Sequence, residues 1–161
     1  MKRRGVILAI ISVFLLFISR CFALQTSDCN SFALKGIKAM FVLVEDLPQK
    51  ATEMGLTTER IKTATELKLR GEGLSVPNYS YEDPYLHISI NVVFQAFSVE
   101  VSLRENVVLK RDKSTNCRAA TWLNSVTGVH GNNPNYIIDG LQVVLDSFLR
   151  DYYRANPKKK R

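Results

Sequence analysis

Between Tyr85 and Arg111 the chain alternates apolar and polar residues for longer than any single turn of structure can explain. Leu86, Ile88, Ile90 and Val92 share one parity. After a turn near Phe94–Ala96, Phe97, Val99, Val101, Leu103, Val107 and Leu109 share another, with Ser98, Glu100, Ser102 and Arg104 between them. Successive side chains of a strand point to opposite faces, so a period of two predicts two long adjacent strands with one buried and one wetter face. The pattern specifies a scaffold and no chemistry.

The rest of the chain can be arranged around that hairpin. Ile37 to Val44 is a near-continuous apolar run, which predicts a strand inside a sheet. Pro48 suits the first position of a short helical turn that stops at Gly55, with Asp46 or a neighbour as its cap. Thr57 is an N-cap type, Leu56 can staple to Ile61, and a helix is predicted to about Arg70. Its buried stripe is read as Ile61, Ala64, Thr65 and Leu67 or Lys68. Residues 77–84 and 112–116 read as loops, and Leu74–Val76 as a short strand or return segment. Cys117 to Val129 reads as the last strand, with Ala120, Trp122, Asn124 and Val126 on one side. From Tyr136 to Tyr153, Ile137, Ile138, Leu141, Val144, Leu145, Phe148, Leu149 and Tyr152 recur at helical spacing. The order is β-α-β-β-β-α. It predicts an α+β fold, a mostly antiparallel four-stranded sheet with two main helices on one face.

The ends carry most of the charge. Lys2, Arg3 and Arg4 precede an apolar run from Val6 to Ile18, and small residues stand before and at Ala23. This predicts a signal peptide over residues 1–23, a single domain over 24–156 and a basic tail over 157–161. Arg20 spoils a lipid-attachment box at Cys21. The whole chain has 22 basic and 15 acidic residues, a net +7. The predicted leader holds four of the cations and the last eight residues hold five, which leaves 13 against 15 and a body of −2. A body of that sign argues against nucleic acid as a partner. The tail could meet an anionic membrane surface. In an exported chain Cys29 and Cys117 predict a disulfide. It would close about 88 residues and contribute on the order of 4 kcal/mol.

Chemistry-bearing patterns are sparse. His87 and His130 form no metal-ligand spacing, and no nucleophile elbow or phosphate loop occurs, so no catalytic residue, metal or cofactor is assigned. His87 lies in the polar phase of its strand and is expected to be exposed or half-buried. Glu45, Asp46, His87 and His130 are the residues from which a scattered enzyme or small-ligand site would be built. Trp122, Tyr79, Tyr81 and Tyr85 are the aromatics expected to reach a surface, and Asn78-Tyr79-Ser80 fits a glycosylation acceptor. The binding candidates are Ser98, Glu100, Ser102 and Arg104 on the wetter sheet face, with Tyr79 and Tyr81 in the loop before it.

An export signal followed by Ile37–Val44, Thr57–Arg70, three strands and Tyr136–Tyr153 resembles the order of elements in small periplasmic assembly domains. The lipopolysaccharide-assembly lipoprotein and the TolB-type and CsgG-type N-terminal domains are examples. The resemblance covers residues 37–153 and rests on element order, with no shared motif. It implies binding in the cell envelope without catalysis, and an envelope or extracellular protein as partner.

Overall fold

A computed structural model describes residues 31–78 and 84–157. The predicted signal peptide, Cys29, Tyr79, Tyr81 and the last four residues of the tail lie outside them. The fold is α+β. Seven elements follow in order: β1 (Phe41–Val44), α1 (Gln49–Glu53), α2 (Thr58–Gly71), β2 (Tyr85–Val93), β3 (Ala96–Leu109), β4 (Asp112–Val129) and α3 (Asn135–Ala155). The strands form one sheet in the order β1-β2-β3-β4, with β1 parallel to β2 and the other pairs antiparallel.

The hairpin of β2 and β3 forms as its alternation predicts. Leu86, Ile88, Ile90 and Val92 stand opposite Leu103, Val101, Val99 and Phe97, and all eight are buried. At roughly 1.5–3 kcal/mol for each fully buried aliphatic or aromatic side chain, this face dominates the hairpin's stability. The turn is Phe94–Gln95, and Phe94 adopts a φ of 53°, a left-handed conformation unusual outside glycine. That strain costs about 1–2 kcal/mol, small beside the burial it permits. Val107 and Leu109 continue the same parity but are only half-buried, because β2 ends at the Tyr85–Arg104 pair and β3 runs on past it.

Residues 112–116 are not a loop. A second two-residue turn at Lys110–Arg111 starts β4 at Asp112, whose carboxylate accepts hydrogen bonds from the Ser114 amide and hydroxyl and from the Thr115 hydroxyl. β1 is an edge strand of the sheet and not inside it, although Phe41 and Val42 are buried; Leu74–Val76 forms no strand of the sheet but a single isolated bridge, Ala39 to Ser75, with Leu74 and Val76 in the core. The Cys29–Cys117 bridge is not seen: Cys117 is a free, half-buried thiol inside β4, paired opposite Val107, where strand pairing sets its direction.

The connection from β1 to β2 returns through α1 and α2, as a parallel pair requires. Thr57 caps α2 by accepting from the Arg60 amide at 3.1 Å. The buried stripe of α2 is Ile61, Thr65 and Leu69, and Leu67 points to solvent. Asp46 is exposed, and α1 begins at Pro48 without a side-chain cap. In α3 the buried residues include Ile137, Leu141, Val144, Leu145, Phe148 and Leu149, the apolar stripe read from its spacing. Lys68 ties α2 to α3 through Asp146 at 2.6 Å and Gln142 at 2.8 Å. The buried residues of all three helices join the inner sheet residues in one core. Trp122 belongs to it and does not reach the surface: its ring meets Phe148 edge-on at 5.1 Å, and its indole N–H donates to Asp151 at 3.1 Å.

Glycine decides how closely α3 approaches the sheet. A Cβ on Gly140 would stand 2.8 Å from the Phe97 ring and 3.2 Å from Val126, and one on Gly128 would stand 2.8 Å from the other side of that ring. Phe97 is thus held between two glycines, one on α3 and one on β4. At the far end of α3 Asn156 accepts from the Gly36 amide and donates to the Leu34 carbonyl, each at 2.8 Å. Among the described residues no helix is long and apolar enough to cross a membrane.

Candidate functional site on the outer sheet face

The sheet face away from the three helices carries the polar half of the alternation. Ser98, Glu100, Ser102 and Arg104 of β3 all lie on it, opposite Asn91, Ser89, His87 and Tyr85 of β2. On the other flank Ser102 faces Leu123 and Arg104 faces Ala120 of β4. The step from Leu103–Trp122 to Arg104–Ala120 skips Thr121, an extra residue in β4. A bulge of this kind re-aims side chains. It moves Ala120 off the face of Trp122, against the simple alternation, and sets Thr121 beside Arg104 and Ser102.

β1 completes the patch. Phe41 and Leu43 stand beside Tyr85 and His87, and the Phe41 and Tyr85 rings stack at 5.0 Å. The Arg118 guanidinium lies over the Tyr85 ring, 5.1 Å from its centre. Just past β1, the Glu45 amide donates to Ile88 O at 2.9 Å, which holds its carboxylate 3.0 Å from His87 Nε2.

His87 is not the exposed strand residue its parity predicts; it is only 6 % exposed. Burial chiefly, and then the nearby Arg104 charge, pushes its pKa below 6.5, while Glu45 and Glu100 pull the other way and lose. The ring is therefore neutral at pH 7. With Nε2–H donating to Glu45, Nδ1 is left with a bare lone pair.

That lone pair has no partner. Among the described residues, four buried side-chain atoms lack a hydrogen bond, and all four belong to this patch: His87 Nδ1, Ser102 Oγ, Arg104 Nε and Thr121 Oγ1. Each orphaned buried group costs about 1–3 kcal/mol, and buried polar groups are nearly always paired. Their concentration on one face is the clearest functional mark among the described residues. Together they offer three donors and one acceptor, two of the donors being hydroxyls that can also accept.

The scattered site of Glu45, Asp46, His87 and His130 does not assemble. Glu45 and His87 meet, but Asp46 is exposed and His130 stands at the other end of the sheet. Phe94 lies seven positions beyond His87 along β2 and its turn, about 23 Å at the rise of a strand. His130 is buried there as a clamp on the first turn. Its Nδ1 accepts from the Asn132 amide at 3.1 Å, so Nε2 donates to Phe94 O at 2.8 Å, and its own amide donates to Gln95 O at 2.8 Å. The described residues also line hollows, one of which adjoins the patch at Phe41 and Leu43. It measures about 240 Å³ and lies between the β1 edge and Lys62 and Glu66 of α2; an open one of about 690 Å³ adjoins Phe94 and Lys50.

Sequence reasoning named Ser102 and Arg104 from parity and His87 and Glu45 as scattered candidates. It missed Thr121, since nothing in Ala120–Trp122 marks a bulge. It also missed that the two sets of candidates meet across the β2–β3 ladder. No protein-family model, curated protein or solved structure matches this chain.

Proposed function

We propose that this chain is an exported, non-enzymatic binding domain of the cell envelope, and that the sheet face bearing Ser98, Glu100, Ser102 and Arg104 is its docking surface. One observation carries the reading: among the described residues, polar atoms of His87, Ser102, Arg104 and Thr121 are buried without partners, on the sheet face opposite the one that α1, α2 and α3 pack against. A partner that supplies those hydrogen bonds would offset the desolvation they have already undergone. The export half of the reading rests on Lys2–Arg4 and Val6–Ile18 in the sequence, as does the envelope setting. The element order supports an assembly role and transfers no site. Residues 157–161 supply a second, weaker contact, with an anionic membrane surface.

Site-specific photocrosslinking in the native envelope tests the docking face. A crosslinking residue at Leu123, exposed and opposite Ser102, should capture a discrete partner. The same residue at Leu67, exposed on the helix side, should not. Capture at Leu67 alone overturns the assignment.

A further inference from the structure

The geometry points to a carboxylate-binding subsite at the centre of the outer face, built from Arg104, Ser102, Thr121 and His87, in which His87 takes up a proton when the ligand binds. This inference rests on the docking face proposed above and specifies the group it receives. The arrangement is set by the ladder. Ser102 and His87 are a directly opposed pair, which places their Cβ atoms about 4.5–5.5 Å apart. Arg104 is the next residue of β3 on the same face, and the bulge brings Thr121 alongside. One guanidinium N–H and two hydroxyls, all buried and unpartnered, are then free to donate to one anion.

The charges around the cluster choose the kind of anion. Arg104 is the cation within it; Glu45, beyond the end of β1, and Glu100, on β3, both act on His87. Arg118 of β4 lies over the Tyr85 ring, and that ring meets the imidazole edge-on at 6.2 Å. A setting with two carboxylates close by suits a ligand of one negative charge better than a dianion such as phosphate. Glu45 is half exposed beside the nearly buried imidazole, so solvent reaches its carboxylate at the end of β1, next to the cluster.

His87 makes the site responsive to acid. In its neutral form the Nδ1 lone pair opposes an anion. Protonation turns Nδ1 into a fourth donor while Nε2–H keeps its bond to Glu45. Proton and carboxylate therefore favour one another, and by linkage each strengthens the other's binding by the same factor.

The test follows the His87 ring by NMR in the full chain, titrating pH in sodium acetate and in sodium chloride of equal ionic strength. Acetate should raise the His87 midpoint. A rise of one unit corresponds to acetate binding about tenfold tighter below the midpoint than above it. Arg104→Met and the double variant Ser102→Ala with Thr121→Val should abolish the difference between the salts while the folded spectrum persists. An identical wild-type midpoint in acetate and chloride overturns the proposal, as does an acetate effect that survives both variants. Inorganic phosphate binding tighter than acetate overturns the choice of carboxylate. Crosslinking from Leu123 with no acetate effect would remove this subsite and leave the docking face standing. An acetate effect without crosslinking would do the reverse.

Discussion

His87 couples the fold to pH through a simple imbalance. Its pKa is lowered in the folded chain, whereas in the unfolded chain it sits near 6.5. Between the two values the unfolded state binds more protons, so stability rises with pH across that window. Above about 6.5 the contribution is fully present; it is lost as pH falls toward the folded midpoint. Denaturant midpoints measured from pH 7 downward should decline for the wild type and decline less for His87→Gln. An unchanged slope in the variant would place the acid sensitivity elsewhere. The hydroxyls of Ser102 and Thr121 behave differently, because each is buried with nothing to bond. Removing such a group costs no hydrogen bond. Ser102→Ala and Thr121→Val should thus be neutral or stabilising by up to about 1 kcal/mol in denaturant unfolding. A loss above about 2 kcal/mol would mean that the hydroxyls are paired in solution.

At the level of elements, the contact of α3 with the sheet hangs on the Phe97 ring between Gly128 and Gly140. Alanine is the better helix former by about 1 kcal/mol, yet Gly140→Ala would drive a methyl group into that ring. Overpacking of this kind costs about 1–3 kcal/mol, and the net change should be destabilising. Adding Phe97→Leu should recover part of the loss relative to the sum of the single variants, as a double-mutant cycle by denaturation would show. The same contact shows what could be read in advance. Periods of two and 3.6 announce β2, β3 and α3, because burial on one face leaves its mark in residue type every second or every third-to-fourth position. They do not announce the Lys110–Arg111 turn, since Asp112, Ser114 and Thr115 satisfy one another locally and look like a loop while being a strand. Nor do they reveal the bulge at Thr121, a backbone event with no residue type of its own. In α2 the reading Ile61, Ala64, Thr65 and Leu67 or Lys68 stops one position short of Leu69: the buried residues follow every fourth position, Ile61, Thr65 and Leu69, and the Thr65 hydroxyl is satisfied by Ile61 O at 2.9 Å.

Across the whole molecule, stability is unevenly distributed. The central ladder is backed by the core, but β3 and β4 run beyond the last pair with β2 as a two-stranded ribbon ending in Lys110 and Arg111. Two strands alone are marginal in water. In native-state hydrogen exchange, Val107, Val108 and Asn116 should exchange faster than Ile88, Val99 and Val101, through local opening that leaves the rest intact. Equal protection would mean that the ribbon unfolds only with the core. The clasp at Asn156 shapes the molecule in another way. By gripping Leu34 and Gly36 it brings the start and finish of the described chain to one spot. Such a domain forms a near-closed loop of polypeptide: its threading order could be rewritten by joining those ends and opening the chain at the ribbon tip, with every strand keeping its neighbours.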